Sequence, residues 1–165
     1  MLDEQILIRA GCPAGVVAHC IAVSCTAVAI AERITLVPVD LELVRTGALL
    51  HDLGRARTHG LDHAIVGVEL GREIGLPEPV LTIIERHIGA GITANEAGRL
   101  GLPVKDYLPQ TPEEKIVSYA DNLTKGDRPM SFEAALGRFQ DILGPGHEGI
   151  GLFEQQHREI QAWMK

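Results

Sequence analysis

The segment GALLHDLGRAR, residues 47 to 57, places a histidine and an aspartate side by side, His51 and Asp52, at the end of an apolar run. Neighbouring side chains on a helix point about 100° apart, so two adjacent polar residues rarely serve one core-facing site. At a helix end broken by Gly54, the backbone can turn both side chains toward one cavity. An imidazole and a carboxylate that share a cavity are ligands for a divalent metal ion. The pair therefore predicts part of a metal site, and its other ligands must come from elsewhere in the chain.

His19 and Asp121 are polar side chains in two further segments that read as buried helices. Burying an unpaired imidazole costs a few kcal/mol, and a buried carboxylate must be paired or must bind a cation. Taken alone, His19 could be satisfied by a backbone carbonyl and Asp121 by an arginine. Taken together with His51 and Asp52, they supply two imidazoles and two carboxylates from separate helices. This ligand set suits manganese, iron, cobalt, zinc or nickel.

The elements that would position these residues are predicted to be helices, because cap and turn signals recur at helical intervals and strand signals are scarce. Pro13 opens a long Ala/Val-rich helix that contains His19 and ends near residues 32–33. Asp40 caps the helix that leads to His51. The further predicted helices are 63–75 after the cap Asp62, 78–87, 94–100, one after the start signal Thr111-Pro112, one from Ser131, and one from about Leu152 to Trp163.

Only residues 34–41, ITLVPVDL, could form a strand, and Pro38 weakens that reading because proline cannot donate to a sheet. The pattern has no internal repeat and no linker long enough to divide the chain. The sequence thus predicts an all-α fold of about seven helices in a single domain, residues 1–165.

Composition limits the partners that the protein can have. The net charge of −7 argues against a nucleic-acid surface, though not against a local phosphate site. Three cysteines without a Cys-x-x-Cys pair indicate reduced thiols in a cytoplasmic protein and no structural zinc cage. Residues 10–31 carry no formal charge and are long enough to span a membrane, but they contain no leucine and lack Trp or Tyr at the ends. A buried core helix is therefore favoured over a membrane span, and no membrane partner is expected.

The order of the polar residues, a histidine, then His-Asp, then a distant aspartate on an all-helical chain, resembles the HD-domain superfamily of metal-dependent phosphohydrolases. The HDLG at residues 51–54 is close to the family's HDIG variant, and the resemblance runs from about Val16 to Arg128. It implies a helical bundle with its core at about residues 13–128, while the helices at 131–165 lie outside the resemblance. It also implies a first metal bound by His19, His51, Asp52 and Asp121.

A subset of this family binds a second metal and adds two histidines between the His-Asp pair and the last aspartate. This sequence offers His63 in DHAIVG and His87 in IERHIGAG. The combination looks most like the dinuclear branch that cleaves diadenosine tetraphosphate symmetrically. The combination is also similar to cyclic-dinucleotide phosphodiesterases. Those enzymes usually have a His-His pair at this position, whereas here His87 is followed by Ile88. The alternatives are that His63 is a polar residue in an exposed first turn and that His87 is a cation at a helix C-terminus. One or two metal ions per chain are therefore expected.

The resemblance implies hydrolysis of a phosphate ester or anhydride in a nucleotide or a similar small phosphorylated substrate. Asp52 would bind metal and orient the nucleophile, and Arg55, where the family often has lysine, would hold a phosphate with its guanidinium fork. Arg128 stands near the position where relatives often keep a phosphate-binding arginine. Phosphomonoesterase, phosphodiesterase and nucleotide pyrophosphohydrolase reactions all stay open.

Other classes of function stay open beside this one. A non-catalytic metal- and nucleotide-binding sensor would use the same ligands without turnover, and an HD-type oxygenase would use them to hold two iron ions. In a third alternative the histidines are only structural. Trp163, Phe153 and Ile160 on the last helix could pack against a second copy of the chain, so a homodimer stays open as well.

Overall fold

The computed structural model describes residues 2–164, and the two ends of the expected domain, Met1 and Lys165, lie outside the described residues. Within this range the chain forms nine α-helices, a 3-10 helix and a hairpin of two-residue strands, which confirms the predicted all-α class. The elements are α1 (Gln5–Ala10), α2 (Ala14–Ala31), α3 (Leu41–Leu50), the 3-10 helix (Leu53–Ala56), α4 (His63–Glu73), α5 (Glu78–Glu85), α6 (Ala94–Arg99), α7 (Pro112–Asn122), β1 (Thr124–Lys125), β2 (Arg128–Pro129), α8 (Phe132–Leu143) and α9 (Glu148–Trp163). The short α1 is missing from the prediction.

The two predicted N-caps Asp40 and Thr111, and the predicted helix start at Ser131, are confirmed by a side-chain oxygen that accepts a hydrogen bond from a first-turn backbone N–H. The three pairs are Asp40 with Leu43 at 3.0 Å, Thr111 with Glu114 at 3.2 Å, and Ser131 with Ala134 at 3.1 Å. The prediction for Asp62 is wrong, because its carboxylate accepts from the hydroxyl of Thr58 instead of capping α4.

The segment predicted as the single strand, residues 34–41, is not a strand. The backbone N–H groups of Thr35 and Leu36 both donate to the carbonyl oxygen of Trp163, at 3.0 and 3.1 Å. The last carbonyl groups of a helix have no hydrogen-bond partner within that helix. The segment therefore provides N–H donors for a carbonyl at the C-terminal end of α9. Pro38, which has no N–H, fits this irregular path.

Helix α2 packs against α3 and α7. Its side chains Cys20, Val23, Ala27 and Ile30 are buried in the core. Within residues 2–164 it is the one helix whose length and apolar composition would allow it to cross a membrane. Only 33% of this span is buried, and Ile21 and Cys25 are exposed, so α2 contributes one face to the core and is not the buried helix that the sequence predicts. The lack of a membrane partner stays a prediction.

Helices α8 and α9 pack on the same core as the helices that carry the predicted ligands. Phe153 and Ile160 are fully buried in a cluster that includes Val117 and Ala120 of α7, and Trp163 packs at the edge of this cluster. The prediction that Phe153 and Ile160 face a second copy of the chain is therefore wrong, because the chain's own core covers them. Formation of a homodimer stays a prediction.

Candidate metal centre

The adjacent pair His51 and Asp52 lies where α3 ends. The helix stops at Leu50, His51 still has helical dihedrals, and Asp52 leaves them with φ −97° and ψ 18°. Both side chains are buried, and His51 Nε2 lies 3.7 Å from Asp52 Oδ2. The change of backbone direction after His51 therefore turns two sequence neighbours toward one cavity, as the residue pattern predicts.

Gly54 plays a different part from the one predicted, because it does not terminate α3. It lies in the 3-10 helix, where a Cβ would overlap the carbonyl oxygen of His63 and come within 2.7 Å of the backbone nitrogen of Gly67. The missing side chain thus allows the backbone after Asp52 to touch the first turn of α4. This close approach brings His63 next to Asp52.

Four histidines contribute to the cluster, and each ring is held by a hydrogen bond at Nδ1, the ring nitrogen that points away from the cluster. Their Nδ1 atoms lie within hydrogen-bond distance of backbone carbonyls: His19 with Gly126 (2.5 Å), His51 with Ala48 (2.6 Å), His63 with Gly60 (2.7 Å) and His87 with Ile84 (2.7 Å). Since a carbonyl only accepts, Nδ1 carries a proton in each ring, so Nε2 presents a lone pair when the ring is neutral and carries a second proton when the ring is charged. Bonds of this kind are typical of metal-ligating histidines.

The Nε2 atoms fall into two groups around Asp52. The first ligand group comprises His19 and His51, which lie 2.9 and 3.4 Å from Asp121 Oδ1 and 3.9 and 3.7 Å from Asp52 Oδ2. The second ligand group comprises His63 and His87, which lie 3.2 and 3.3 Å from Asp52 Oδ1. Asp52 therefore directs one carboxylate oxygen at each group.

Most of these separations fit the ligands of a metal ion, and only the 3.7 and 3.9 Å separations from Asp52 Oδ2 are wider than those of adjacent ligands. Donor atoms about 2.1 Å from one ion, at octahedral or tetrahedral angles, lie about 3.0 to 3.4 Å apart. In the second ligand group His63 Nε2 and His87 Nε2 are 3.0 Å apart, a repulsive contact for two lone pairs unless a proton or a cation lies between them. In the first, His51 Nε2 is buried and has no hydrogen-bond partner within residues 2–164. The residues of both groups therefore fit a divalent ion.

The cluster is strongly polarised when no ion is present. Burial opposes ionisation of Asp52, but the charge of His51 and hydrogen bonds from His63 and His87 outweigh it and hold the pKa of this carboxyl far below its ordinary value. Burial likewise opposes ionisation of Asp121, and His51 and His19 hold its pKa below the ordinary value. Ionised carboxylates at neutral pH are the form that binds cations.

A cleft of about 370 Å³ opens over the cluster, and its lining includes His19, Asp52, His63, His87 and Asp121. Arg55, also in the lining, is half-buried, and its Nε lies 3.0 Å from Asp52 Oδ2. Arg128 is exposed on β2 and does not belong to the lining, so its contact with a phosphate stays a prediction. Sequence reasoning missed Arg138 of α8, which does line the cleft.

Sequence reasoning also missed the β1–β2 hairpin, which holds His19 in place through the carbonyl of Gly126. Gly126 has φ +61° in the two-residue turn between the strands. The Gly126-Asp127 dipeptide is a hairpin signal that could have indicated this turn. The carbonyl partner of His19 lies 107 residues away along the chain, and no local pattern predicts it.

The family model of the HD domain matches residues 16–126. The match covers more than half of the chain, so the chain belongs to the HD-domain family. Members of this family bind divalent metals, in agreement with the two ligand groups.

Several proteins are similar to this chain along much of its length. An uncharacterized protein of Methanocaldococcus jannaschii is 52% identical over 156 residues, which cover 93% of this chain and 92% of that protein. A tRNA (cytidine(56)-2'-O)-methyltransferase of Picrophilus torridus is 44% identical over 76% of this chain, and a ribonuclease Y of Acidothermus cellulolyticus is 38% identical over 68% of it. These matches span only 36% and 21% of the two enzymes. The HD domain of the L. monocytogenes phosphodiesterase PgpH has the same fold, with a TM-score of 0.58 and 17% identity over 96% of this chain and 93% of that chain.

Proposed function

We propose that this protein is a metal-dependent phosphohydrolase that cleaves a phosphate ester or anhydride in a small nucleotide-like substrate. The observation that carries the proposal is the pair of ligand groups joined by Asp52 at the floor of a cleft that also contains Arg55. Phosphoryl transfer requires mainly positioning and charge stabilisation, and these are what such a site provides.

Each group of residues has a distinct task in this proposal. Bound divalent ions would lower the pKa of a water molecule toward about 7 and offset the charge of the phosphoryl oxygens. Asp52 joins the two ligand groups and fixes Arg55, whose guanidinium is held at Nε by the Asp52 carboxylate. Arg55 in turn offers a fork of N–H donors that matches a phosphate.

The similar proteins support this reaction class by their names. PgpH is a phosphodiesterase whose HD domain is seen in complex with cyclic-di-AMP, and ribonuclease Y is named for RNA cleavage. The methyltransferase name belongs to a protein of which this chain matches about a third, and we do not carry methyl transfer over to this chain. The diadenosine tetraphosphate branch stays part of the proposal, because its two added histidines correspond to His63 and His87.

Reconstitution and a substrate screen test the proposal. Protein stripped of metal and reloaded with manganese, cobalt or iron is assayed with nucleotides, diadenosine tetraphosphate and cyclic dinucleotides. We expect Asp52→Ala to lower turnover at least about 100-fold, because it removes a ligand from both groups. The control is Asp141→Ala, an exposed carboxylate outside the cleft lining, which should keep wild-type turnover.

Other results would point to the competing functions. Full metal loading without turnover of any substrate contradicts hydrolysis and favours a sensor. Oxygen consumption together with a mixed-valent iron signal favours the oxygenase. Activity that survives Asp52→Ala removes the proposed mechanism.

A further inference from the structure

One wall of the cleft is apolar and belongs largely to α8. The lining side chains that share this property are Leu61, Ile88, Phe139, Ile142 and Leu143. Ile142 is 68% exposed, although isoleucine is usually among the most buried residues. Exposed apolar groups gathered at one cleft indicate a surface that packs against a ligand. Helix α8 lies beyond the residues 16–126 that the family model matches, so the family match does not cover the α8 part of this wall.

Helix α8 also brings a cation to the cleft. Arg138 is exposed, lines the cavity, and makes no hydrogen bond or ion pair with any residue in the range 2–164. Arg55 reaches the same cleft from the 3-10 helix. Two guanidinium groups from separate elements offer planar donor forks, which match the oxygens of a phosphate.

The charged residues that line the cleft indicate how a ligand with one anionic and one uncharged end is oriented in it. The carboxylates of Asp52 and Asp121 balance the charges of Arg55 and Arg138, so divalent ions in the ligand groups make the cleft net positive. An anionic end is therefore favoured beside the ligand groups. The apolar wall on α8 then takes the uncharged end of the same molecule.

The shape of the wall favours a flat group. The Phe139 ring stacks on Phe153 of α9, with centroids 4.5 Å apart and an angle of 17° between the planes, which holds Phe139 in place. A fixed aromatic ring beside aliphatic side chains suits a planar ring system. The volume of about 370 Å³ is near the lower end for small-molecule sites, and it favours one nucleotide unit over a longer ligand.

We propose that α8 determines the substrate specificity of this protein: Arg138 holds the phosphate of a single nucleoside phosphate unit, while Phe139 and Ile142 pack against its base. The inference rests on the proposed phosphohydrolase function and deepens it by naming the substrate class. A nucleoside monophosphate is the substrate of a phosphomonoesterase and a product of nucleoside triphosphate pyrophosphohydrolysis and of complete phosphodiester cleavage. Symmetric cleavage of diadenosine tetraphosphate releases ADP instead, which contains the same nucleoside phosphate unit, so recognition of this unit can be measured in each case.

The test compares ligands that differ only in the base. Manganese-loaded protein is given the four ribonucleoside 5'-monophosphates and ribose 5-phosphate, and affinity is read as KM where the ligand is hydrolysed and as Kd where it is not. We expect the preferred nucleotide to bind at least about 10-fold more tightly than ribose 5-phosphate. Ile142→Ser should lower this preference about 5-fold and leave the affinity for ribose 5-phosphate unchanged. Arg138→Gln should weaken both ligands about 10-fold and change kcat much less.

Matched controls exclude a general effect of the substitutions. Ile74→Ser changes an isoleucine that is 53% exposed, and Arg33→Gln changes an exposed arginine, both outside the cleft lining, so neither should alter the affinities. Equal affinity for ribose 5-phosphate and every nucleotide overturns the inference, as does a preference that Ile142→Ser leaves intact or an affinity for both ligands that Arg138→Gln leaves unchanged.

The outcome also separates this inference from the proposed function. Protein that prefers nucleotides through Ile142 but hydrolyses no phosphorylated substrate contradicts the proposed function and supports the specificity role of α8. Protein that hydrolyses nucleotides and ribose 5-phosphate equally well supports the proposed function and overturns that role.

Discussion

At the scale of the residue, the orientation of each imidazole depends on a bond made away from the cluster. In His51, His63 and His87 the Nδ1 partner is the carbonyl three residues earlier, so a local backbone bond sets which nitrogen faces Asp52. In His19 the partner is Gly126, far along the chain. The six side chains assigned from the sequence lie in one cluster, and their binding of metal stays a prediction.

Arg138 escaped sequence reasoning for a physical reason. An arginine on an amphipathic surface helix has solvent as its default surroundings, and nothing in the residues around it distinguishes it from other exposed arginines. Its position at the cleft follows only from the packing of α8 against α9. Ligand residues are easier to find, because a polar residue inside an apolar run is costly and therefore conspicuous.

The division of the ligands by Asp52 predicts two ions per chain. We expect wild-type protein dialysed against manganese to bind two ions and His63→Ala to bind one, because the substitution removes a ligand from the second group and leaves the first intact. Metal analysis of the dialysed protein measures the number. His59→Ala, which changes an exposed histidine four residues away, should still bind two. Two ions retained by His63→Ala would contradict the division.

The stability of the metal-free protein should depend on pH through His51. Burial opposes its protonation, but the carboxylates of Asp52 and Asp121 outweigh burial and raise the pKa of His51 well above its ordinary value. A raised pKa stabilises the fold below the unfolded-state pKa, about 6.5, and this contribution disappears as the pH rises through the folded-state pKa. We expect the free energy of unfolding to fall as the pH rises above about 6.5, by at most ~1.4 kcal/mol per pH unit for each proton released.

Urea titrations in the presence of EDTA measure this dependence. His51→Gln should flatten it, because the titrating group is gone. Saturating manganese should reverse the slope near neutral pH, since protons compete with the ion for the imidazoles. A metal-free wild-type protein that becomes more stable as the pH rises above about 6.5 would show that His51 does not hold a proton in the fold.

At the scale of the element, local signals predicted the helices well and the connections poorly. Caps such as Asp40, Thr111 and Ser131 act within one helical turn, so the sequence alone shows them. The path of residues 34–41 depends on the end of α9, and the part played by Gly54 depends on α4. Both contacts join segments that no local sequence pattern connects. For this reason the strand at residues 34–41 and the end of α3 at Gly54 were predicted wrongly.

The contact between Gly54 and α4 leads to a prediction about stability. We expect Gly54→Ala to lower the free energy of unfolding by about 3 kcal/mol, because the new methyl group would meet backbone atoms of His63 and Gly67 that cannot move aside cheaply. Urea titration of metal-free protein measures the change. Gly151→Ala in α9, where a Cβ would meet nothing within 4 Å, should raise stability by about 0.5 to 1 kcal/mol. A Gly54→Ala protein as stable as wild type would mean that the close approach is not required.

At the scale of the whole molecule, the part of the chain beyond the family match is joined to the rest of the fold by buried hydrogen bonds. Gln156 of α9 donates to the hydroxyl of Ser118, which donates to the carbonyl of Gly89. Asn122 donates to the same carbonyl. This buried network joins α9 to α7 and to the turn that follows His87. We propose on these contacts that residues 2–164 form one cooperative domain, as the sequence pattern predicts.

The single tryptophan makes this proposal testable, because Trp163 lies at the C-terminal end of α9 and reports on the local environment of that helix end. We expect Trp163 fluorescence and far-ultraviolet ellipticity, which reports on all the helices, to change at the same urea concentration. Phe153→Ala should lower the free energy of unfolding by about 3 to 5 kcal/mol and shift both signals together, since the ring is fully buried between α7, α8 and α9. Ile74→Ala, at an exposed position, should change it by less than about 0.5 kcal/mol. Fluorescence that changes at a lower urea concentration than the ellipticity would instead assign α9 to a unit that unfolds on its own.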